Sequence, residues 1–179
     1  VATAAELSAQ LELHDPDGAG HAARVTALAL QLAEALHASK HRVEAIRAGG
    51  PLHDVGKLQV PTSILQKPGP LAPEELDQIR THPVVGAHML TNVEDAEGAL
   101  DCVLYHHERW DGSGYPHGLS GGEIPLEARI IAVADAYDAM TFDRPYRQAL
   151  SQTQAIAEVE RCAGSQFDPQ VAAALLEIV

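Results

Sequence analysis

Apolar residues return every three to four positions along most of this chain, the period of a helix with one buried face. Val25, Leu28, Leu32 and Leu36 form one such stripe. The Asp15-Pro16 step ahead of it offers a capping acid and a proline suited to a first helical turn, so a helix is expected from there to about Leu36. Before it, Ala4 to Leu13 has helical composition. His41 to Lys57 is periodic through Val43, Ile46 and Leu52, but Gly49, Gly50 and Pro51 interrupt it. The run VPTSILQKPGPLAPEEL is a Pro- and Gly-punctuated connector, with Pro73 opening a short acidic-headed helix. Helices are expected from His82-Pro83 through Met89 and from roughly Ala96 to Glu108. The run DGSGYPHGLSGGEIP, with five glycines and two prolines, must be loop. Leu126 to Met140 reads as a strongly apolar central helix, and Gln154 to Cys162 and Pro169 to Val179 close the bundle. With no internal repeat, low-complexity tract or linker, the pattern predicts one all-α helical-bundle domain over residues 1–179.

Composition agrees with that class and narrows the partners. Apolar residues make up 46% of the chain and aromatics only 4%, with Ala and Leu dominant, which favours a helical core over a β-rich sandwich. A formal charge of -13 argues against a nucleic-acid polymer or an anionic membrane as partner, since neither offers counter-charge to an acidic surface. Bound cations would offset part of it. Cys102 and Cys162 lack CxxC spacing, which fits buried thiols in a reducing cytoplasm. No run of about 18 apolar residues is present, so no membrane contact by this domain is expected. The chain opens in helical sequence without an initiator Met, and is expected to be a piece of a longer multidomain protein.

Two stretches carry the chemistry. In LHDVGK, residues three and four apart share a helical face, so His53, Asp54 and Lys57 can line one pocket while Gly56 thins the backbone between them. Imidazole with carboxylate suits iron, manganese, zinc or nickel, and the two oxygens of Asp54 could bridge two ions. A capped or salt-bridged turn is the competing reading of such a pair. In YHHERWDGSGYP, His106 and His107 point about 100° apart on a helix, so one cavity takes both only if it is wide or the helix is ending. A dinuclear site is wide enough. The alternative is a half-buried pair satisfied by backbone carbonyls.

Together HDVGK and HHERWDGSGYP resemble the HD-GYP family of metal-dependent phosphodiesterases, named for an HD dipeptide and a Gly-Tyr-Pro triplet, here Gly114, Tyr115 and Pro116. The likeness runs from DPDGAGHAAR through HDVGKLQVPTSILQKPG and IIAVADAYDAMTFDRPY to SQFDP. It implies the helical HD fold with a long GYP loop, and hydrolysis of cyclic di-GMP to pGpG and on to GMP in bacterial second-messenger signalling. It also implies further ligands: His21 in GHAARV, His82 in RTHPVVG and Asp135 in AVADAYDAM. On the HD pattern, one ion takes His21, His53, Asp54 and Asp135, and a second takes Asp54, His82, His106 and His107. Asp135 also needs a partner on chemical grounds, being an acid in an apolar helix. Arg144 and Arg147, in FDRPYRQAL, are implied to hold the substrate's phosphates, a role that suits arginine's planar fork. Asp54 and Lys57 are the expected catalytic pair, Lys57 stabilising transition-state charge, and Tyr115 shapes the pocket wall. His14, His37, His41, His88 and His117 are read as structural or exposed.

Asp17 bears on the number of ions. It lies four residues before His21 and can share its face. Three-metal members of the family carry Glu in a run resembling DPETGxH, whereas this chain reads DPDGAGH, and Asp falls short of the Glu reach by about 1.5 Å. Two divalent ions, Fe or Mn with Zn or Ni as alternatives, are therefore expected rather than three. Two rival readings remain: a non-catalytic cyclic-dinucleotide sensor or docking module, and an HD phosphohydrolase of another nucleotide. A signalling-protein partner or a homodimer is compatible with each.

Overall fold

The computed structural model describes residues 2–18, 20–93, 95–143 and 148–179, and among these the regular structure is helical, with one isolated bridge between Ala163 and Phe167. Helix α1 (Ala4–His14) begins at Thr3, whose hydroxyl accepts from the Glu6 amide while the Glu6 carboxylate accepts from the Thr3 amide. A single 3-10 turn (Pro16–Gly18) leads to Gly20, at φ 73°, and α2 (His21–Ala35) starts directly after it. The expected break at Gly49 is where α3 (Lys40–Gly49) ends. Next come two short 3-10 segments, Gly50–Leu52 and Val55–Gln59, so His53 and Asp54 sit at the junction of two tight turns rather than inside an α-helix. The connector holds one unanticipated helix, α4 (Thr62–Leu65), before α5 (Pro73–Arg80) and α6 (His82–Leu90). Helix α7 (Leu100–Tyr105) is shorter than expected and stops just before the paired histidines. The Gly-rich loop contains one 3-10 turn at Gly121–Glu123 and leads into α8 (Leu126–Thr141), α9 (Gln152–Arg161) and α10 (Pro169–Ile178).

Two apolar cores flank the histidines. The larger joins α2, α8, α9 and α10 through residues such as Val25, Leu32, Ile130, Ile131 and Leu175, each fully buried and worth about 1.5–3 kcal/mol relative to exposure. The smaller gathers Leu7 of α1, Leu52, Val55, Leu90 and Val103. Helices α2 and α8 pack along each other, and α6 packs on the Val55–Gln59 turn. That second contact depends on two glycines: a Cβ on Gly56 would stand 1.9 Å from the His82 carbonyl oxygen, and one on Gly86 3.0 Å from the Gly56 nitrogen. Glycine therefore lets the strand of chain bearing Asp54 approach the start of α6, where His82 stands.

Candidate metal centre

Three of the histidines are aimed by a backbone hydrogen bond on the far side of the ring. His53 Nδ1 donates to the Gly50 carbonyl (2.8 Å), His82 Nδ1 to that of Ile79 (2.7 Å), and His106 Nδ1 to that of Val103 (2.9 Å). Nδ1 carrying the proton leaves Nε2 as a lone-pair donor facing inward. The His53 and His106 bonds come from turns at element ends, so the Gly-Gly-Pro break before His53 supplies the acceptor for its ring. The carbonyl reading of the paired histidines thus holds for the outer nitrogen of His106, while its inner nitrogen joins the cluster.

The inner nitrogens converge on Asp54. Its Oδ1 lies 3.1 Å from His82 Nε2 and 3.7 Å from His106 Nε2. Its Oδ2 lies 3.5 Å from His53 Nε2 and 2.5 Å from Lys57 Nζ. The two oxygens of one carboxylate thus face two different sets of imidazoles. Potential ligand atoms of Asp54, His82, His106 and His107 all fall within 4.8 Å of one another, as do those of His21, His53 and Asp54. Asp135 joins the second set through its Oδ1, 3.1 Å from His21 Nε2. His53 Nε2 is fully buried yet has no hydrogen-bond partner, a costly state for an imidazole nitrogen unless a cation takes its lone pair. The donor set of imidazole and carboxylate fits divalent cations.

Electrostatics reinforce that fit. Burial pushes His53 down to about 4 and His82 below its ordinary value, and burial with His106 and His82 nearby takes His107 to about 2. Burial also opposes ionisation of Asp54, but the Lys57 ammonium beside it holds it well below the usual carboxylate range. Asp135 is likewise kept low against burial by His21. Neutral imidazoles beside ionised carboxylates are the protonation states that metal ligands require. His21 differs: burial would lower it, but hydrogen bonds to Asp135 and Asp138 raise it to about 9.

The GYP loop folds back over the paired histidines. Glu108 is buried, and its carboxylate accepts from the amides of His117 (2.7 Å) and Leu119 (3.1 Å), which tightens the loop. A Cβ on Gly114 would meet the Arg109 nitrogen at 2.4 Å, so only glycine allows the loop to lie against residues 107–109. The Tyr115 amide donates to the His107 carbonyl (3.2 Å), and its ring stacks on that of His107 with centroids 5.0 Å apart. Tyr115 also lines a cleft with His106, His107 and Asp135. A larger cleft of about 440 Å³ opens over His21, Asp54, Lys57 and Asp135, walled by Ile64, Leu65, Leu71 and Ile79 from the connector and α5.

Of the residues singled out in the sequence, the fold brings His21, His53, Asp54, Lys57, His82, His106, His107, Tyr115 and Asp135 together. Arg144 and Arg147 lie outside the described residues, as does the side chain of Asp17. Among the other histidines, His14 Nε2 bonds the Val60 carbonyl (2.9 Å) and His117 packs near Tyr105, consistent with structural roles. Sequence reasoning missed Asp138 and Glu108. Asp138 could have been found from its i,i+3 spacing to Asp135 on an apolar helix, the same anomaly that drew notice to Asp135.

The family model described as HD domain matches residues 6–171. The chain is 41% identical over 177 residues to the cyclic di-GMP phosphodiesterase response regulator RpfG of Xanthomonas campestris, covering 97% of this chain and 47% of that protein. It is 40% identical over 169 residues to a cyclic di-GMP phosphodiesterase of Thermotoga maritima, covering 93% of this chain and 46% of that one. It thus spans about half the length of these relatives. Among solved structures, the HDG"Y"P protein Bd1817 of Bdellovibrio bacteriovorus superposes with a TM-score of 0.72 at 22% identity, covering 88% of this chain and 51% of that one. That likeness is one of fold.

Proposed function

This chain belongs to the HD domain family, of the HD-GYP type, and on that premise we propose that it hydrolyses cyclic di-GMP to linear pGpG and onward to GMP as part of a longer bacterial signalling protein in the cytoplasm. The observation that carries the reading is Asp54, whose two oxygens each face one set of imidazoles, next to the partnerless Nε2 of buried His53. In this reading His21, His53, Asp54 and Asp135 would hold one divalent ion and Asp54, His82, His106 and His107 a second, iron or manganese being compatible with the mixed donors. When bound, such ions supply Lewis-acid polarisation of a phosphodiester and activation of water.

The remaining work falls to the chain's own residues. Lys57 keeps Asp54 ionised through its 2.5 Å contact and sets an ammonium at the cleft, where it offsets charge building on the phosphate oxygens. The apolar side chains of Ile64, Leu65, Leu71 and Ile79 along the cleft offer apolar surface to nucleobases. Tyr115 holds the His107 ring in place by stacking. Arg144 and Arg147, by resemblance, grip the phosphates. Asp17 is left as an auxiliary ligand at most, so two ions rather than three complete the site.

The test is a substrate panel with protein purified without oxygen and reloaded with Fe(II) or Mn(II): cyclic di-GMP, cyclic GMP-AMP, cyclic di-AMP and nucleoside triphosphates. Metal-dependent cleavage of cyclic di-GMP ahead of the others is expected, and Asp54→Ala should abolish it. Turnover of a triphosphate alone would move the chain to another HD phosphohydrolase class. Tight cyclic di-GMP binding with no cleavage under any metal would make it a sensor.

A further inference from the structure

Among the described residues, the four histidines with a hydrogen bond at Nδ1 are not treated alike. Those of His53, His82 and His106 face neutral backbone carbonyls. That of His21 faces a carboxylate: Nδ1 lies 2.6 Å from Asp138 Oδ2. Asp138 is itself buried, 4% exposed, and lies one turn beyond Asp135 on α8. The ring of His21 is therefore gripped edge to edge by two carboxylates of one helix, Asp135 Oδ1 at Nε2 (3.1 Å) and Asp138 at Nδ1.

Asp138 is in turn fixed from behind. Arg24, one turn after His21 on α2, donates from Nε to Asp138 Oδ1 (2.7 Å) and from Nη2 to Oδ2 (3.1 Å). The Arg24 guanidinium lies over the Phe142 ring, 3.7 Å from its centroid, at the end of α8. A two-pronged guanidinium leaves a carboxylate little freedom to rotate, and a buried carboxylate so paired stays charged. The arrangement runs from Phe142 through Arg24 and Asp138 to His21, all on the α2–α8 contact that also carries Asp135.

We propose that Asp138, held by Arg24, is a positioning residue that locks His21 with its proton on Nδ1 and makes it a stronger donor than the other histidines, so that it governs the ion held by His21, His53, Asp54 and Asp135 and not its neighbour. This rests on the metal reading above. The physical reason is that an acceptor on the outer nitrogen of an imidazole fixes the tautomer and raises the basicity of the inner nitrogen, and a charged carboxylate does the second more strongly than a neutral carbonyl. Asp138 touches none of the inner nitrogens of the second set, so its influence is confined to one ion.

The probe is Co(II), titrated into metal-free protein by calorimetry and visible absorption, with thermal unfolding of each metal-free variant as a check on the fold. Wild type should show two binding steps. In Asp138→Asn one step should weaken by about 10- to 100-fold while the other is unchanged. Loss of both steps equally, or of neither, would overturn the proposal while leaving the metal reading standing. If Asp138→Asn does not fold, Arg24→Gln keeps the question open to measurement: the same single step should weaken by a smaller factor, and unchanged binding would again overturn it. A wild-type protein that took up no Co(II) would remove the metal reading and this inference together.

Discussion

At Asp54 a single carboxylate is held ionised in a buried setting by Lys57, and His53 and His82 beside it are held neutral by burial. That balance has a pH signature in the metal-free protein. His53 titrates at about 4 when folded against 6.5 when unfolded, so the unfolded chain binds more protons as the pH falls, and stability present above pH 6.5 is lost toward pH 4. Between pH 6.5 and 5 His53 alone should cost about 1.5 kcal/mol. His82 and His107 act in the same direction. His21 acts in the opposite one, but its contribution is lost as the pH rises toward 9 and is nearly complete at 6.5, so it offsets little of the acid loss. Urea unfolding of metal-free protein at pH 6.5 and 5 should show the drop, and a midpoint that stayed constant or rose on acidification would count against buried neutral imidazoles. At this scale the sequence was most informative where a residue was out of place chemically. Adjacent histidines and an acid inside an apolar helix signal themselves, and the same logic applied to Asp138 would have found it. Glu108 gave no such signal, because a glutamate at a helix end looks solvated until the loop it anchors is seen to cover it.

Among the elements, the close approach of the Val55–Gln59 turn to α6 sets the distance from Asp54 to His82. Gly56→Ala should force the two apart, since the new Cβ would meet the His82 carbonyl at 1.9 Å. We expect a loss of about 1–3 kcal/mol in denaturant unfolding together with weaker cation binding, and a variant with wild-type stability and metal affinity would show that the contact is not needed. The long helices were legible because α2 and α8 each repeat their apolar stripe over several turns. The break ahead of His53 was legible from Gly49, Gly50 and Pro51, but the 3-10 form of the turns after it was not, because a period alone does not reveal a change of helix type. Helix α7 looked longer for a similar reason: Ala96 and Ala99 are buried from turns and extend the apolar pattern beyond the helix. Four-residue α4 is too short to have a period at all.

Over the whole molecule, the cluster lies where α2, the turn bearing His53 and Asp54, α6, the end of α7 and α8 meet, so its side chains come from five separate stretches of the chain. Bundle packing fixes their mutual distances, and the net charge of -13 leaves the surroundings favourable to cations. No described helix is long and apolar enough to cross a membrane. The fold class was readable from period and composition, whereas the convergence of His21, His82 and Asp135 on the HD pair came only through family resemblance, since nothing in local spacing says which distant turns will meet. The central claim is that two ions share Asp54. Anomalous scattering from crystals grown with Mn(II) tests it directly: two peaks are expected, both within bonding distance of Asp54, one against His21, His53 and Asp135 and the other against His82, His106 and His107. A single peak, or two peaks of which either fails to touch Asp54, would contradict it.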